Sequence, residues 1–312
     1  MLQYLVILLD RTAVSYCHYD RSDAEPAPMP LATLRAAVRY AMKENLNVQF
    51  VYPDYELPVE YAEVIDSIDH TDIRPVGAVT ADVLVADGWE ALFSRPLAAA
   101  ATYVLRTTKA DFFRHYGRLK EVLPRVARLN VVLTDMETLT EADTATYRTA
   151  LEALGDELEA LYAAGLSPQL NLLTDRMMLD RMNNCDAGWR SLTLAPDGRF
   201  YVCPAFCSGG EAESLGTLSG GPAVKNAQLY RLDRAPLCRR CDAWQCRRCV
   251  WLNRKTTLEV NTPGHEQCVA AHIERNAARR LLLAVRKHGQ FLPQQEIKEI
   301  KYLDPFEVRE EW

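Results

Sequence analysis

The chain up to residue 182 alternates between short apolar runs and longer segments with helical spacing. The short runs are rich in residues that favour strands: YLVILL (4–9), NVQFVYP (47–53), DIRPVGAV (72–79), TYVLRTT (102–108), LNVVLTD (129–135) and QLNLL (169–173). Apolar runs of this length, bounded by polar and turn residues, are typical of buried strands. We therefore predict six strands in this part of the chain.

Helical spacing lies between several of these strands. The segment at 31–45 places Leu34, Val38 and Met42 on one stripe, and the long segment at 140–165 ends at a glycine. A strand followed by a helix, repeated about six times, predicts a parallel sheet with right-handed crossovers. Six such units form an open or partial (β/α)6 barrel, although a doubly wound sheet has the same periodicity.

The pattern changes after residue 182. Glycine, proline and cysteine dominate residues 183–268, and this stretch has too little apolar surface to fold without a metal. An amphipathic helix with a basic face follows at 269–289. We therefore predict three parts: a partial barrel at 1–182, a cysteine-rich metal-binding domain at 183–268, and a C-terminal helix and tail at 269–312.

Charge and composition narrow the function classes. The 312-residue chain has a formal net charge of −6, which argues against a general nucleic-acid binder. The start, MLQYLVILLDRT, lacks a basic region before its short apolar run, so we predict a buried strand and not a signal peptide. No apolar run reaches the length of a membrane span. We expect a cytoplasmic protein with no membrane or nucleic-acid partner.

The nine cysteines are unevenly distributed. Cys17 stands alone in the first half of the chain, and the others are Cys185, Cys203, Cys207, Cys238, Cys241, Cys246, Cys249 and Cys268. Clustered cysteines in a chain without an export signal indicate metal ligands more often than disulfides. Four of the cysteines lie in "CRRCDAWQCRRC" (238–249). Thiolate pairs separated by two residues suit an iron–sulfur cluster or zinc, although zinc ribbons space their two pairs further apart.

The order of the cysteines resembles that of the SPASM domain, a C-terminal extension of radical SAM peptide-modifying enzymes. Cys185, Gly198 and Cys203 precede the two close pairs, and Cys268 follows them. The resemblance implies two [4Fe–4S] clusters. It assigns one cluster to Cys185, Cys203 and Cys249, with Cys207 as our candidate for the fourth ligand. It assigns the other cluster to Cys238, Cys241, Cys246 and Cys268.

The radical SAM half of this pattern is incomplete. Where that family has CxxxCxxC after the first strand, "LDRTAVSYCHYD" offers Asp10, Val14 and Cys17, and "YPDYELP" (52–58) replaces the glycine-rich segment after the second strand. The chain resembles the CXXX repeat peptide maturases, which are radical SAM/SPASM-like proteins without the signature cysteines. That resemblance implies a degenerate barrel that does not cleave S-adenosylmethionine (SAM).

The resemblance also implies partners, namely a cysteine-repeat precursor peptide and a true radical SAM maturase. We expect Tyr19 and Tyr55, in the two degenerate loops, to border a surface for such a partner. Two alternatives remain open. One is a metalloenzyme whose auxiliary cluster has an open iron site, and the other is a zinc-stabilised adaptor without redox chemistry.

Overall fold

A computed structural model describes residues 2–17, 25–78, 81–99 and 101–305 of the chain. The chain divides into two compact units, each built from two separate stretches of sequence. The first unit contains Met1–Ala86 and Cys185–Ala235, and the second contains Asp87–Asn184 and Pro236–Trp312. This division follows contacts in space, whereas the boundaries predicted after residues 182 and 268 follow sequence pattern and remain predictions.

The described residues contain strands and helices in an alternating order. The strands are β1 (Tyr4–Leu8), β2 (Asn47–Val51), β3 (His70–Pro75), β4 (Val83–Asp87), β5 (Thr102–Thr107), β6 (Arg128–Leu133), β7 (Gln169–Leu170), β8 (Ser191–Leu194), β9 (Phe200–Tyr201), β10 (Gly216–Thr217) and β11 (Gly221–Pro222). The helices are α1 (Leu31–Lys43), α2 (Val59–Ile65), α3 (Trp89–Phe93), α4 (Lys109–His115), α5 (Leu119–Val122), α6 (Glu141–Ala163), α7 (Thr174–Met178), α8 (Val250–Thr257) and α9 (His265–Val285).

Parallel pairing dominates both units. In the first unit the strand order is β4-β3-β2-β1-β8-β9, and each neighbouring pair is parallel except β8 and β9. In the second unit β5, β6 and β7 are parallel neighbours. The predicted fold class, an α/β protein with a large parallel sheet, is confirmed.

Each of the six predicted apolar runs contains a strand, but the prediction missed β4. The segment that contains β4 is ADVLVADG (81–88). Its short apolar run before Gly88 is a sequence signal from which this strand could have been predicted. The turn at Asp197-Gly198 joins β8 to β9, and Gly198 has a φ of +76°, which favours glycine. Gly165 follows α6 with a φ of +84°, as a helix-ending glycine does.

The core of the first unit lies between its sheet and α1. Leu5 and Ile7 of β1 pack in one buried cluster with Leu34 and Val38 of α1. The prediction for Met42 was wrong, because its side chain is 58% exposed. The buried stripe of α1 instead runs through Leu34, Ala37, Val38 and Ala41, the i, i+3, i+4, i+7 spacing of a helix face.

The second unit is built around the two long helices α6 and α9, which pack against each other. The α6 residue Tyr147 is fully buried, and its ring lies 5.9 Å from that of Phe112 and 6.3 Å from that of Phe113. At the start of α6, Thr140 and Asp143 form a reciprocal capping box. Among the described residues, no helix is long and apolar enough to cross a membrane.

Candidate metal centre

Four of the predicted ligands lie in the second unit. Cys238 and Cys241 flank a short 3₁₀ turn, Cys246 ends another, and Cys268 lies in the first turn of α9. Burial, and then the charges of Cys238, Cys241 and Cys268, raise the pKa of the Cys246 thiol. Burial, and then Cys238 and Cys241, raise the pKa of Cys268 in the same way. The four sulfurs therefore lie within electrostatic reach of one another, and we call them the four-cysteine site.

Burial keeps these thiols protonated when no metal is bound. It raises the pKa of Cys238 to about 11, against the opposing effect of Arg248, and it also raises the pKa of Cys241. A metal must displace these protons, because the thiolate and not the thiol is the ligand. Binding of a metal by these thiols would therefore release protons.

Cys241 has two nitrogen neighbours. The backbone N–H of Ala243 donates to its Sγ at 3.4 Å, and Nε2 of His272 lies 3.7 Å from the same sulfur. The other ring nitrogen of His272, Nδ1, is 2.9 Å from the carbonyl oxygen of Cys268 and fixes the ring. Burial lowers the pKa of His272, which favours its neutral form. Such outer contacts orient a metal-bound sulfur and tune its charge.

Cys246 and Cys249 also have N–H donors beside them. Nε2 of Gln267 lies 3.8 Å from Sγ of Cys246, and the backbone N–H of Leu252 lies 3.5 Å from Sγ of Cys249. The second contact caps the first turn of α8. Hydrogen bonds to sulfur are one of the means by which proteins set the properties of iron–sulfur centres.

The loop between Cys246 and Cys249 has an unusual backbone. Arg247 and Arg248 both have left-handed conformations, with φ of +55° and +49°. The N–H of Arg248 donates to the carbonyl of Cys246 at 2.7 Å, which closes a tight turn. Non-glycine residues adopt this region at some energetic cost, and such strain concentrates at functional sites.

The residue types at the four-cysteine site are those that a thiolate-bound metal centre requires. Soft sulfur donors suit iron–sulfur clusters or zinc, and N–H donors already lie beside Cys241 and Cys246. Within the described part of the chain, no three histidine, cysteine, aspartate or glutamate side chains converge on a position where they could share one metal ion. The fit therefore rests on the chemistry of the donors and on their mutual charge effects.

The other predicted ligand set is divided between the units. Cys185 is exposed and lies with Cys203 and Cys207 in the first unit, whereas Cys249 lies in the second. This set stays a prediction. Burial raises the pKa of Cys207, and the charges of Asp197 and Cys17 raise it further. The proximity of Cys17 to Cys207 carries no sequence signal, because the two residues come from distant parts of the chain.

The first degenerate loop is closed by a buried carboxylate. Asp10 follows β1 and is fully buried. Its Oδ1 accepts hydrogen bonds from the N–H and hydroxyl of Thr12, at 2.7 and 2.6 Å, and its Oδ2 accepts the hydroxyl of Tyr55 at 2.6 Å. The Tyr55 hydroxyl is thus engaged within the protein. Tyr19, its predicted companion at the surface, lies outside the described residues.

Another buried carboxyl group, that of Glu274, lies in the same unit as the four-cysteine site, and no sequence pattern indicated it. The hydroxyl of Tyr147 donates to Oε1 of Glu274 at 2.7 Å, and Nε2 of Gln245 donates to Oε2 at 3.3 Å. Burial raises the pKa of Glu274 to about 7. Glu274 stands among basic residues in the sequence of α9, and nothing in that sequence indicates that its side chain is buried.

Comparisons with known proteins identify the fold. No protein-family model matches the chain, and no curated protein matches it. A solved structure of the radical SAM/SPASM-type anaerobic sulfatase maturase anSMEcpe, with bound AdoMet and the Cp18Cys peptide, matches with a TM-score of 0.62 at 14% identity. The match covers 92% of this chain and 100% of that chain. The chain has the fold of this structure.

Further structures of anSMEcpe agree. The form with bound AdoMet matches with a TM-score of 0.60 at 13% identity, over 92% of this chain and 99% of that chain. The form with AdoMet and the Kp18Cys peptide matches with a TM-score of 0.59 at 13% identity, over 91% of this chain and 99% of that chain. At these identities the likeness concerns the fold alone, and the chemistry depends on the residues of this chain.

Proposed function

We propose that this protein takes part in the maturation of a ribosomally synthesised peptide with repeated cysteines, as a member of the CXXX repeat peptide maturases. It acts as an iron–sulfur protein that binds the precursor peptide, a partner radical SAM maturase, or both. The observation that carries the proposal is the four-cysteine site, Cys238, Cys241, Cys246 and Cys268, in a protein of radical SAM/SPASM-type fold.

The proposed cofactors are two [4Fe–4S] clusters. The four-cysteine site holds one, and Cys185, Cys203, Cys207 and Cys249 hold the other. When bound, such clusters supply one-electron transfer. The protein contributes the thiolates and the surrounding donors, among them the N–H of Ala243 and the side chain of Gln267.

We further propose that the chain does not cleave SAM by itself. Asp10 and Val14 stand where the resemblance places two of three cluster thiolates, and neither offers a sulfur. The carboxylate of Asp10 is already engaged by Thr12 and Tyr55. This arrangement supports a barrel that keeps its strands without the radical-generating cluster.

The peptide class follows from two considerations. The solved structures of anSMEcpe contain the Cp18Cys and Kp18Cys peptides, which makes peptide binding plausible for a protein of the same fold. The resemblance to CXXX repeat maturases adds the cysteine repeat. A short synthetic peptide with this repeat is therefore a suitable probe.

The test is a titration of the metal-loaded protein with a synthetic peptide of four Cys-X-X-X repeats, followed by fluorescence anisotropy. The same peptide with serine in place of cysteine is the matched control. We expect saturable binding that is weaker for the serine peptide. Failure to bind either peptide, together with failure to bind a radical SAM maturase that acts on such repeats, would contradict the proposal.

A second candidate is a metalloenzyme with an open iron site. It is favoured by the cysteine pattern of the resemblance, which assigns Cys185, Cys203 and Cys249 to one cluster and leaves Cys207 as the candidate for its fourth ligand. If Cys207 does not bind iron, the cluster at Cys185, Cys203 and Cys249 has one iron free for a substrate. A Cys207→Ser variant that retains its full iron content and the spectrum of the wild-type protein would support this alternative.

A further inference from the structure

Two buried guanidinium groups lie beside Cys241. Arg176 of α7 is 2% exposed and Arg275 of α9 is 0% exposed. Charged side chains are rarely buried to this extent unless they are paired. Both contact the carboxylate of Asp242, which directly follows Cys241 in the sequence. The four-cysteine site therefore has two fixed positive charges beside one of its members.

One carboxylate serves both arginines. Arg275 binds Asp242 through two parallel contacts, from Nε to Oδ1 at 2.9 Å and from Nη2 to Oδ2 at 2.7 Å. Arg275 also donates to the side chain of Asn276 at 3.0 Å. Arg176 reaches Asp242 only through Nη2, at 3.4 Å. Asp242 thus accepts two short hydrogen bonds from Arg275 and one longer hydrogen bond from Arg176.

Arg176 lacks acceptors for the rest of its guanidinium. Its Nε and Nη1 are buried and have no hydrogen-bond partner among the described residues. The ring of Trp244, in the loop between the two cysteine pairs, lies 4.0 Å from its central carbon. A buried charged donor without an acceptor is strongly unfavourable. Among the described residues, the partners of the Arg176 guanidinium are the ring of Trp244 and one oxygen of Asp242. Because these leave its other donors unpaired, we expect a further anion beside it.

A metal centre at the four-cysteine site supplies that anion. Four thiolates leave either an iron–sulfur cluster or a zinc ion with a net negative charge. We propose that Arg176 is a positioning residue of this centre, whose buried charge stabilises the anionic centre that Cys241 helps to hold. This inference rests on the metal centre of the proposed function.

The choice of arginine agrees with this role. A guanidinium stays charged when buried, stacks on an aromatic ring and presents several donors in one plane, whereas a lysine offers one mobile point charge. Trp244 and Asp242 fix the plane of Arg176. The pair formed by Arg275 and Asp242 in turn fixes that carboxylate.

The test compares three variants of the full chain after anaerobic reconstitution. Arg176→Met removes the charge at similar length, Arg176→Lys keeps it, and Arg181→Met is the matched control, because Arg181 follows closely in the sequence with its side chain 89% exposed. The measurements are the rate of metal release to a chelator and, where iron is bound, the midpoint potential. Circular dichroism reports folding.

We expect Arg176→Met to release metal at least about tenfold faster than the wild type, which corresponds to about 1.4 kcal/mol. Its midpoint potential should fall, because a positive charge that favours the more negative state is gone. Arg176→Lys should recover most of both properties, and Arg181→Met should match the wild type. Unchanged release and potential in Arg176→Met would overturn the inference.

Two further outcomes are informative. If Arg176→Met fails to fold, the comparison moves to Arg176→Gln and Arg176→Lys: faster release from the glutamine variant alone supports the inference, and equal rates overturn it. A wild-type protein that takes up neither iron nor zinc overturns the proposed function together with this inference. A loaded wild type with an unaffected Arg176→Met variant overturns the inference alone.

Discussion

At the scale of single residues, Glu274 makes the stability of the protein depend on pH. Its pKa is about 7 in the folded state, against an ordinary value of 4.5. Between these two values the folded protein keeps a proton that the unfolded chain releases, so the free energy of unfolding falls as pH rises through this window. Above the folded pKa both states are ionised, and this group causes no further change.

We expect Glu274→Gln to remove this decline. From the difference between the folded and ordinary pKa of Glu274, the free energy of unfolding of the wild type should fall by roughly 3 kcal/mol across this pH window. Chemical denaturation at pH 5 and at pH 8 measures the difference, and Glu152→Gln, an exposed position on α6, is the control. A variant with the same pH dependence as the wild type would contradict the assignment of this window to Glu274.

Two of the buried carboxyl groups, those of Asp10 and Glu274, differ in how far the sequence could identify them. Asp10 could be recognised as a non-thiol at a ligand position, but its hydrogen bond to Tyr55 depends on a contact across 45 positions. Glu274 could not be recognised at all, since its partners Tyr147 and Gln245 come from other elements. The local sequence can indicate that a residue has a special role, but the partners of its side chain are known only from the fold.

At the scale of elements, the position of Cys268 in the first turn of α9 leads to a prediction. The free energy of metal binding adds to the folding free energy of a metal-bound unit. Loss of one ligand should therefore destabilise the second unit. We expect Cys268→Ala to increase hydrogen exchange across residues 236–258 and the first turns of α9, and to leave β1, β2 and α1 unchanged. Cys17→Ala, in the first unit, is the matched control.

Mass spectrometry of peptides from the exchanged protein measures the exchange rates of both units in one experiment. The sequence pattern alone would place the damage throughout the chain after residue 182, whereas the two compact units place Cys185–Ala235 with the first strands. Faster exchange in Cys185–Ala235 and in β1, with no change around α9, would show that Cys268 does not support the second unit.

Periodicity located the strands and the long helices, because a buried stripe or run involves adjacent residues. It missed the short β4, and it misplaced Met42. It also failed to show that the four-cysteine site and α6 belong to one compact unit, since Cys185–Ala235 of the other unit separates them in the sequence. Cysteine spacing predicts which thiols share a centre, because close pairs need only a short loop, and that ligand assignment stays a prediction.

At the scale of the whole molecule, the fold and the loop after β1 point in different directions. The chain shares the fold of anSMEcpe at 14% identity, and the loop after its β1 contains Asp10 and Val14 where the resemblance expects thiols. The order of the cysteines led to the expectation of such a fold, because ligand spacing in a sequence is tied to the kind of centre that ligands can hold. The partner and the modification depend on surfaces for which the sequence carries no pattern.

The missing thiols predict the behaviour of the whole protein toward SAM. We expect no 5′-deoxyadenosine when the purified protein is incubated with SAM and a strong reductant, because one remaining thiol, Cys17, cannot hold the cleaving cluster. Liquid chromatography with mass spectrometry detects the product, and a true radical SAM enzyme in the same assay is the positive control. Product above the level of a protein-free blank would refute this expectation.

The proposed role of the whole molecule depends on iron–sulfur clusters held by the cysteines. The decisive measurement is the iron, zinc and acid-labile sulfide content of anaerobically purified protein, for the wild type and for Cys241→Ser. We expect iron and sulfide in near-equal amounts in the wild type, approaching two [4Fe–4S] clusters per chain, and a loss of about half of both in the variant. Stoichiometric zinc without sulfide would contradict the iron–sulfur assignment.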